Sequence, residues 1–359
     1  MRVLRGGVVA LAVVAALVPM PAALIERWYS NTLYPPMQRL LTSLTNLLPF
    51  AFFDILIVAA SVAVVVIAAG AVGAVRRQRR AAPALAALGT LATAVATVYL
   101  LFLLMWGLNY RRVPIADRFE AAGDSLSRQA VLQLGLEAAA RVNDLHDAAH
   151  ADPMAGDEWR AAPLRNAFAE TERLIGDPAR ITPGRLKTTL AGPYFRWASV
   201  DGMVNPLGLE VLVNPDLLPF ERPFVAAHEW AHLAGHADES EANFIGWLTC
   251  VRGGAAAAYS GWMFLHWQIS AEVGPDDRAT LGKALSDGAR EDVNAVVARL
   301  RRDQWPALQT AGWAVYDQYL KANRVDNGIR SYSAVITLLL RTRFAADWVP
   351  VRRAPFTRE

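Results

Sequence analysis

Three stretches without a single charged residue, 6–25, 55–75 and 81–108, constrain this chain more than any other feature. Each reaches the ~20 residues that cross ~30 Å of hydrocarbon as a helix, and soluble core helices rarely run so long without a charge. Spans are therefore expected at about 6–25, 55–75 and 85–108. The first has a second reading. Arg2 and Arg5 followed by an apolar run and the small residues Ala22 and Ala23 also resemble a cleaved secretory signal.

The charges divide with the apolar segments. Residues 1–112 hold 10 Arg, no Lys and only Glu26 and Asp54, a net of +8, whereas 113–359 hold 26 basic and 31 acidic residues, a net of −5. Arg76, Arg77, Arg79 and Arg80 fall between the second and third spans, while the expected 26–50 loop has only Arg27, Arg39 and one acid. By the positive-inside rule the arginine turn is cytoplasmic, the amino terminus is inside, and everything after Leu108 lies outside the cytoplasmic membrane. Trp106 and Tyr110 are expected as interfacial anchors. The arginines are explained by topology, so no nucleic-acid partner is expected, and the lipid bilayer is the one partner the sequence names. Oligomeric state is left open. The single Cys excludes a disulfide framework, and Cys250 reads as a small buried apolar residue.

Beyond Arg112 the pattern becomes one of amphipathic helices. Ser127 is placed to cap a helix running to about Leu145, and similar periodicity recurs near 164–175, 293–300, 308–320 and 332–344. Residues 194–200 and 209–213 read as two short strands separated by a turn-rich segment. Residues 244–266, interrupted by Gly253-Gly254, are expected as buried helix and not as a fourth span. The fold class expected is thus a three-helix transmembrane anchor, residues 1–112, followed by a mainly helical, α+β extracytoplasmic domain, residues 113–359.

Residues 228–232 read HEWAH. Two His four apart on a helix project from one face and can reach one metal ion, with Glu229 beside them as general base for a metal-activated water. Pro223 suits a first turn, Phe224, Val225, Ala227, Ala231 and Leu233 suit burial, and Gly235 is a terminator. A buried helix whose only polar groups are His228, Glu229 and His232 needs a partner for them, and Zn²⁺ is the simplest. The third ligand is to be sought among His236, Asp238, Glu239 and Glu241. Asp238 stands where metzincin-type proteases carry theirs, but that class needs a downstream Met-turn, and the only later Met is Met263, inside an apolar stretch. His236 lies beyond the Gly break. If Asp238 caps the next helix, Glu241 completes a capping box, leaving Glu239 without a local role. Glu239 is preferred as ligand, with Glu241 and then Asp238 as alternatives. A second pair, His146 and His150 in HDAAH, has acidic neighbours Asp144, Asp147 and Asp152 and reads as a solvated face.

Glu239-x-x-Ala242-Asn243 resembles the Glu-x-x-Ala-Asp/Asn element of gluzincin-type metallopeptidases. More widely, WGLNYRR at 106–112, the 205–210 and 213–214 region, PFVAAHEWAH at 223–232, ESEANF at 239–244 and SYSAVITLLL at 331–340 resemble a bacterial family of unknown function, number 3810. The resemblance implies a membrane-anchored, gluzincin-like zinc peptidase without a known substrate, its domain at 113–359 zincin-like in fold. In such folds the strand ahead of the helix, here 209–213, aligns an extended substrate by backbone pairing. An oxyanion donor is expected from Tyr332, Arg330 or Tyr319. The competing expectations are a non-catalytic zinc-binding sensor or assembly protein, and a zinc amidase acting on a cell-wall component.

Overall fold

The computed structural model describes residues 2–123, 126–152, 154, 160–177, 181–323 and 334–353. Among these residues, two helices are long and apolar enough to cross a membrane: Phe52–Gln78, here α3, and Ala82–Met105, here α4. Their sides are lined by exposed Val62, Val65, Val66, Leu85, Leu88 and Val95, surface that only hydrocarbon satisfies. The chain is a membrane protein.

The expected span at 6–25 is not one helix. α1, Arg2–Leu17, has 16 residues, roughly 24 Å at 1.5 Å per residue, short of the bilayer core. Pro19 and Pro21 lack the N–H groups that would continue the ladder, and the next helix, α2 over Ala22–Leu47, leaves at 110°. Taken as one bent span, the pair brings the number of crossings to three.

α2 occupies most of what was expected to be a loop. It contains a π-helical stretch at Ile25–Leu33, and polar residues spaced four apart form a stripe toward the rest of the protein. Tyr34 Oη donates to the Leu233 carbonyl at 2.8 Å, Gln38 Nε2 to the Thr182 carbonyl at 2.9 Å, and Thr42 Oγ1 to the Leu209 carbonyl at 2.6 Å. The charge boundary at Arg112 is therefore not a packing boundary: Tyr29, Tyr34 and Trp106 share one hydrophobic core with Trp230, Phe244 and Trp247.

Helices α5, Arg128–Ala151, and α6, Ala162–Leu174, follow. Ser127 caps α5 by accepting from the Ala130 N–H at 3.0 Å, and the helix runs six residues past its expected end. A small sheet then forms from β1, Leu186–Lys187, β2, Gly202–Asn205, and β3, Glu210–Val213, in the order β1-β3-β2. Two expectations are corrected here. Residues 194–200 are mostly helix, α7 over Gly192–Ala198, opened by Pro193 and closed by Ser199 at φ 54°; the aromatic run reads as strand because aromatic residues favour strands on average, whereas here Phe195 buries its ring in a local core from a helix. β3 is central, hydrogen-bonded on both sides, so it has no edge for a substrate backbone. The edge strands on either side of it are β1 and β2.

Beyond the sheet come α8, Arg222–Leu233, which carries HEWAH, then α9, Glu239–Cys250, and α10, Ala255–Glu272. α9 and α10 break at Gly253-Gly254 and are buried, as expected for 244–266. α11, Pro275–Ala284, α12, Asp287–Arg302, α13, Pro306–Ala322, and α14, Ala334–Arg341, complete the fold.

The sheet also seats the span helix α3. Glu210, fully buried, accepts from the first backbone N–H groups of α3, Phe52 at 3.0 Å and Phe53 at 2.7 Å, and from Lys187 Nζ at 3.0 Å. A carboxylate at a helix amino terminus meets unpaired donors and the positive end of the dipole. We predict that Glu210→Ala, which leaves Lys187 buried without its counter-charge, costs about 3–5 kcal/mol. Thermal unfolding in detergent should show a lowered midpoint, partly recovered by adding Lys187→Met.

Candidate metal centre

α8 begins at Arg222 and Pro223 and buries almost its whole circumference, including Trp230, Ala231 and Leu233. It stops where Gly235 takes φ 86°, a conformation that glycine adopts without strain. The amides of Gly235 and His236 return to the carbonyls of His232 and Ala231 at 3.0 and 3.1 Å. Asp238 then caps α9, its side chain accepting from the backbone of Ser240 and Glu241. The turn between the two helices is thus closed by local chemistry at both ends.

This turn brings together three of the expected residues. His228 Nε2 and His232 Nε2 lie 3.1 Å apart, and Glu239 Oε2 is 3.4 Å from each. Together they could hold a metal ion. His232 Nδ1 is 2.8 Å from the His236 carbonyl oxygen. A carbonyl only accepts, so Nδ1 carries a proton, and in the neutral ring the Nε2 lone pair faces His228 and Glu239. The Asn243 side chain interacts with the His228 ring. Glu229, on the same helix, is 2 % exposed, and its Oε2 has no hydrogen-bond partner among the described residues.

The electrostatics follow from burial and proximity. Burial lowers the pKa of His228 despite Glu239. Burial also opposes charge on His232, but the Glu239 carboxylate and its hydrogen bond prevail and raise His232 to about 9. In return, His232 and His228 hold Glu239 below the usual carboxylate range against the opposing effect of burial. Burial lifts Glu229 to about 8, with the charges of Glu239 and Asp201 adding to it and that of His232 opposing.

Glu241 points elsewhere. Its Oε1 accepts from the Ile115 N–H at 2.6 Å, and its Oε2 lies 3.3 Å from His236 Nδ1; it does not return to the helix cap as a capping box would require. Asp238 spends its carboxylate on the cap. Arg330 and Tyr332 lie outside the described residues, as does the side chain of Tyr319. Cys250 is buried and burial pushes its thiol above its usual range, which leaves it inert.

Sequence reasoning missed what holds the turn in place. Trp106 Nε1 donates to the His232 carbonyl at 2.9 Å, and Arg112 donates to the Ala234 carbonyl at 3.3 Å. Arg112 pairs with Glu26 at 2.8 Å and Asp177 at 3.2 Å, Arg118 with the same two acids at 2.7 and 2.5 Å, and His236 Nε2 lies 2.8 Å from Asp177 Oδ2. Local sequence offered only one hint, a histidine directly after a helix-ending glycine.

Burial works against charge on Asp177, but Arg112, His236 and Arg118 outweigh it and hold its carboxyl well below the usual range. The folded chain therefore keeps Asp177 ionised to lower pH than the unfolded chain does. Its stabilisation is complete above about pH 5 and is lost as pH falls through about 4 and below. We predict that Asp177→Asn is less stable than wild type at pH 7 and that the gap narrows on acidification. Unfolding midpoints measured from pH 7 to pH 3 check this; a gap independent of pH contradicts it.

No curated protein and no solved structure matches the chain. Residues 29–340, which include the α2 stripe, Trp106, Arg112, HEWAH and ESEANF, match the family described as protein of unknown function (DUF3810), and the chain belongs to that family.

Proposed function

We infer that the chain is a membrane-bound zinc-dependent metallopeptidase of zincin-like fold, acting on polypeptides at the outer face of the cytoplasmic membrane. The observation that carries this reading is the convergence of His228 Nε2, His232 Nε2 and Glu239 Oε2 beside Glu229, whose Oε2 has no partner among the described residues. Separations of 3.1, 3.4 and 3.4 Å fit the edges, about 3.3 Å, of a tetrahedron with ~2.0 Å zinc bonds. The donors are nitrogen and oxygen, and their number suits a reactive site: three protein ligands leave one position open, whereas a structural zinc closes with four. Bound there, zinc supplies Lewis acidity and lowers the pKa of a water.

The chain's own residues supply the proton handling. Glu229 sits one residue after His228, buried and with its Oε2 unpaired among the described residues, so its carboxylate is placed to accept a proton from water and return it to the leaving amine. Gly202, the first residue of β2, approaches it so closely that a Cβ there would lie 2.9 Å from Glu229 Cδ. Edge strand β2 therefore passes directly by the general base, and it takes over the substrate-aligning role expected of β3. Asn243 and the His236 carbonyl orient the two ligand imidazoles.

Orientation rests on charge and connectivity. Arg76, Arg77, Arg79 and Arg80 gather at the turn between α3 and α4, which the positive-inside rule places in the cytoplasm with the amino terminus. The opposite ends of these helices, at Phe52 and Trp106, are bonded to Glu210 and His232. The helical domain accordingly lies outside.

Glu229→Gln should retain zinc and lose turnover by about 10²–10⁴-fold. In equilibrium dialysis against Zn²⁺, Glu239→Ala should lose the metal and Glu241→Ala keep it; full occupancy in Glu239→Ala refutes the ligand assignment. Envelope proteomes of cells carrying wild type or Glu229→Gln then identify the substrate as the protein that accumulates. An unchanged peptide pattern supports a non-catalytic zinc protein, and altered cell-wall fragments alone support an amidase.

A further inference from the structure

The HDAAH pair, which reads as a solvated face in the sequence, is joined in the fold by a third ligand type from a distant helix. His146 and His150 stand on successive turns of α5, and Asp292 reaches them from α12. Asp292 Oδ2 lies 2.8 Å from His150 Nε2 and 3.8 Å from His146 Nε2, and the three ligand atoms lie within 4.8 Å of one another. These separations bracket the ~3.3 Å donor spacing of a tetrahedral divalent ion. We propose that His146, His150 and Asp292 form a second metal site, for a divalent transition cation of the kind that takes imidazole and carboxylate ligands.

Three surrounding features prepare the cluster. Asp147 Oδ1 is 2.9 Å from His146 Nδ1. A carboxylate there fixes the proton on Nδ1 and turns the Nε2 lone pair inward, the arrangement found behind metal-bound histidines. Tyr259, buried on α10, donates its hydroxyl to Asp292 and sets that carboxylate's orientation. Gly288 lets α12 approach, because a Cβ at that position would lie 2.6 Å from two atoms of the His146 ring. The Asp292 side chain is 13 % exposed and that of His150 42 %, so the site is walled on the protein side and open to exchange on the other. The ion takes the place of the proton between His150 Nε2 and Asp292 Oδ2, and that proton leaves to solvent.

The position suggests what the cation does. Phe220, whose ring centroid is 6.0 Å from those of both His150 and Tyr259, lies just ahead of α8. Ser260, next to Tyr259, accepts from the Phe224 N–H at 3.0 Å in the first turn of α8. A cation at this site fastens α5, α10 and α12 around the segment that starts the HEWAH helix. It supplies structural bracing at the end of α8 opposite the one capped by Trp106, and it does not depend on the HEWAH centre being catalytic.

The test uses the full chain in detergent, stripped of metal and titrated with Zn²⁺ alone, in wild type, His150→Gln and Asp292→Asn. His150 is part-exposed and Asp292→Asn can still accept the Tyr259 hydrogen bond, so both variants should fold, as circular dichroism will verify. Each is expected to bind one zinc fewer than wild type and to lose part of the zinc-induced rise in unfolding temperature. His228→Ala is expected to remove the other equivalent and leave this one, which separates the two assignments. Equal stoichiometry in wild type and the two variants overturns the proposal. So does an equivalent at this site that binds more weakly than roughly 0.1 mM.

Discussion

The carbonyl end of helix α8 is the constraint on which the rest of the structure depends. A helix leaves its last carbonyls without intrahelical donors, and here they are buried, where an unpaired acceptor is costly. The carbonyls of His232, Leu233 and Ala234 are met by Trp106, Tyr34 and Arg112. All three donors precede residue 113. The helix that bears the candidate metal ligands is therefore seated by side chains from the first 112 residues, and the apolar helices share one core with the helical domain.

A buried charge network carries the same logic outward. Arg112 and Arg118, shared between Glu26 and Asp177, meet His236, which in turn meets Glu241 and, through its backbone carbonyl, His232. Removing so many charges from water is expensive, and a hydrophobic cluster of equal volume would often serve stability as well. What the charges add is direction. Each guanidinium and imidazole has fixed donor geometry, so the network sets the orientation of the turn that carries His232, and with it the spacing to Glu239 on the following helix.

The features legible in the sequence were those set by neighbours in the chain. HEWAH on one helix face, the Gly235 stop, the Asp238 and Ser127 caps, and the apolar runs at 55–75 and 81–108 all depend on residues within a few positions of one another. The features that were not legible join distant segments. Glu210 reads as an ordinary strand residue until it is found capping a helix more than 150 positions earlier. The four-residue spacing of Tyr34, Gln38 and Thr42 has meaning only when the surface it faces is known. Asp292 turns a solvated histidine pair into a three-donor cluster from 142 residues away. The error at 194–200 has another origin: aromatic residues favour strands on average, but here Pro193 and the burial of Phe195 decide for a short helix.

The location of the centre limits what the proposed peptidase can act on. α4 has 24 residues, about 36 Å of helix and enough to cross the ~30 Å hydrocarbon core. Trp106, the residue that ends it, is buried in the core that α4 shares with the helical domain. Its ring nitrogen binds the carbonyl of His232 directly, so the candidate metal ligand His232 stands one side chain away from the end of α4. Edge strand β2 belongs to the same small sheet that receives the start of α3 through Glu210. A polypeptide paired along β2 would have to run close to the membrane surface. Juxtamembrane segments of other envelope proteins meet that requirement directly, whereas a freely soluble chain would have to bring an extended stretch down to the interface.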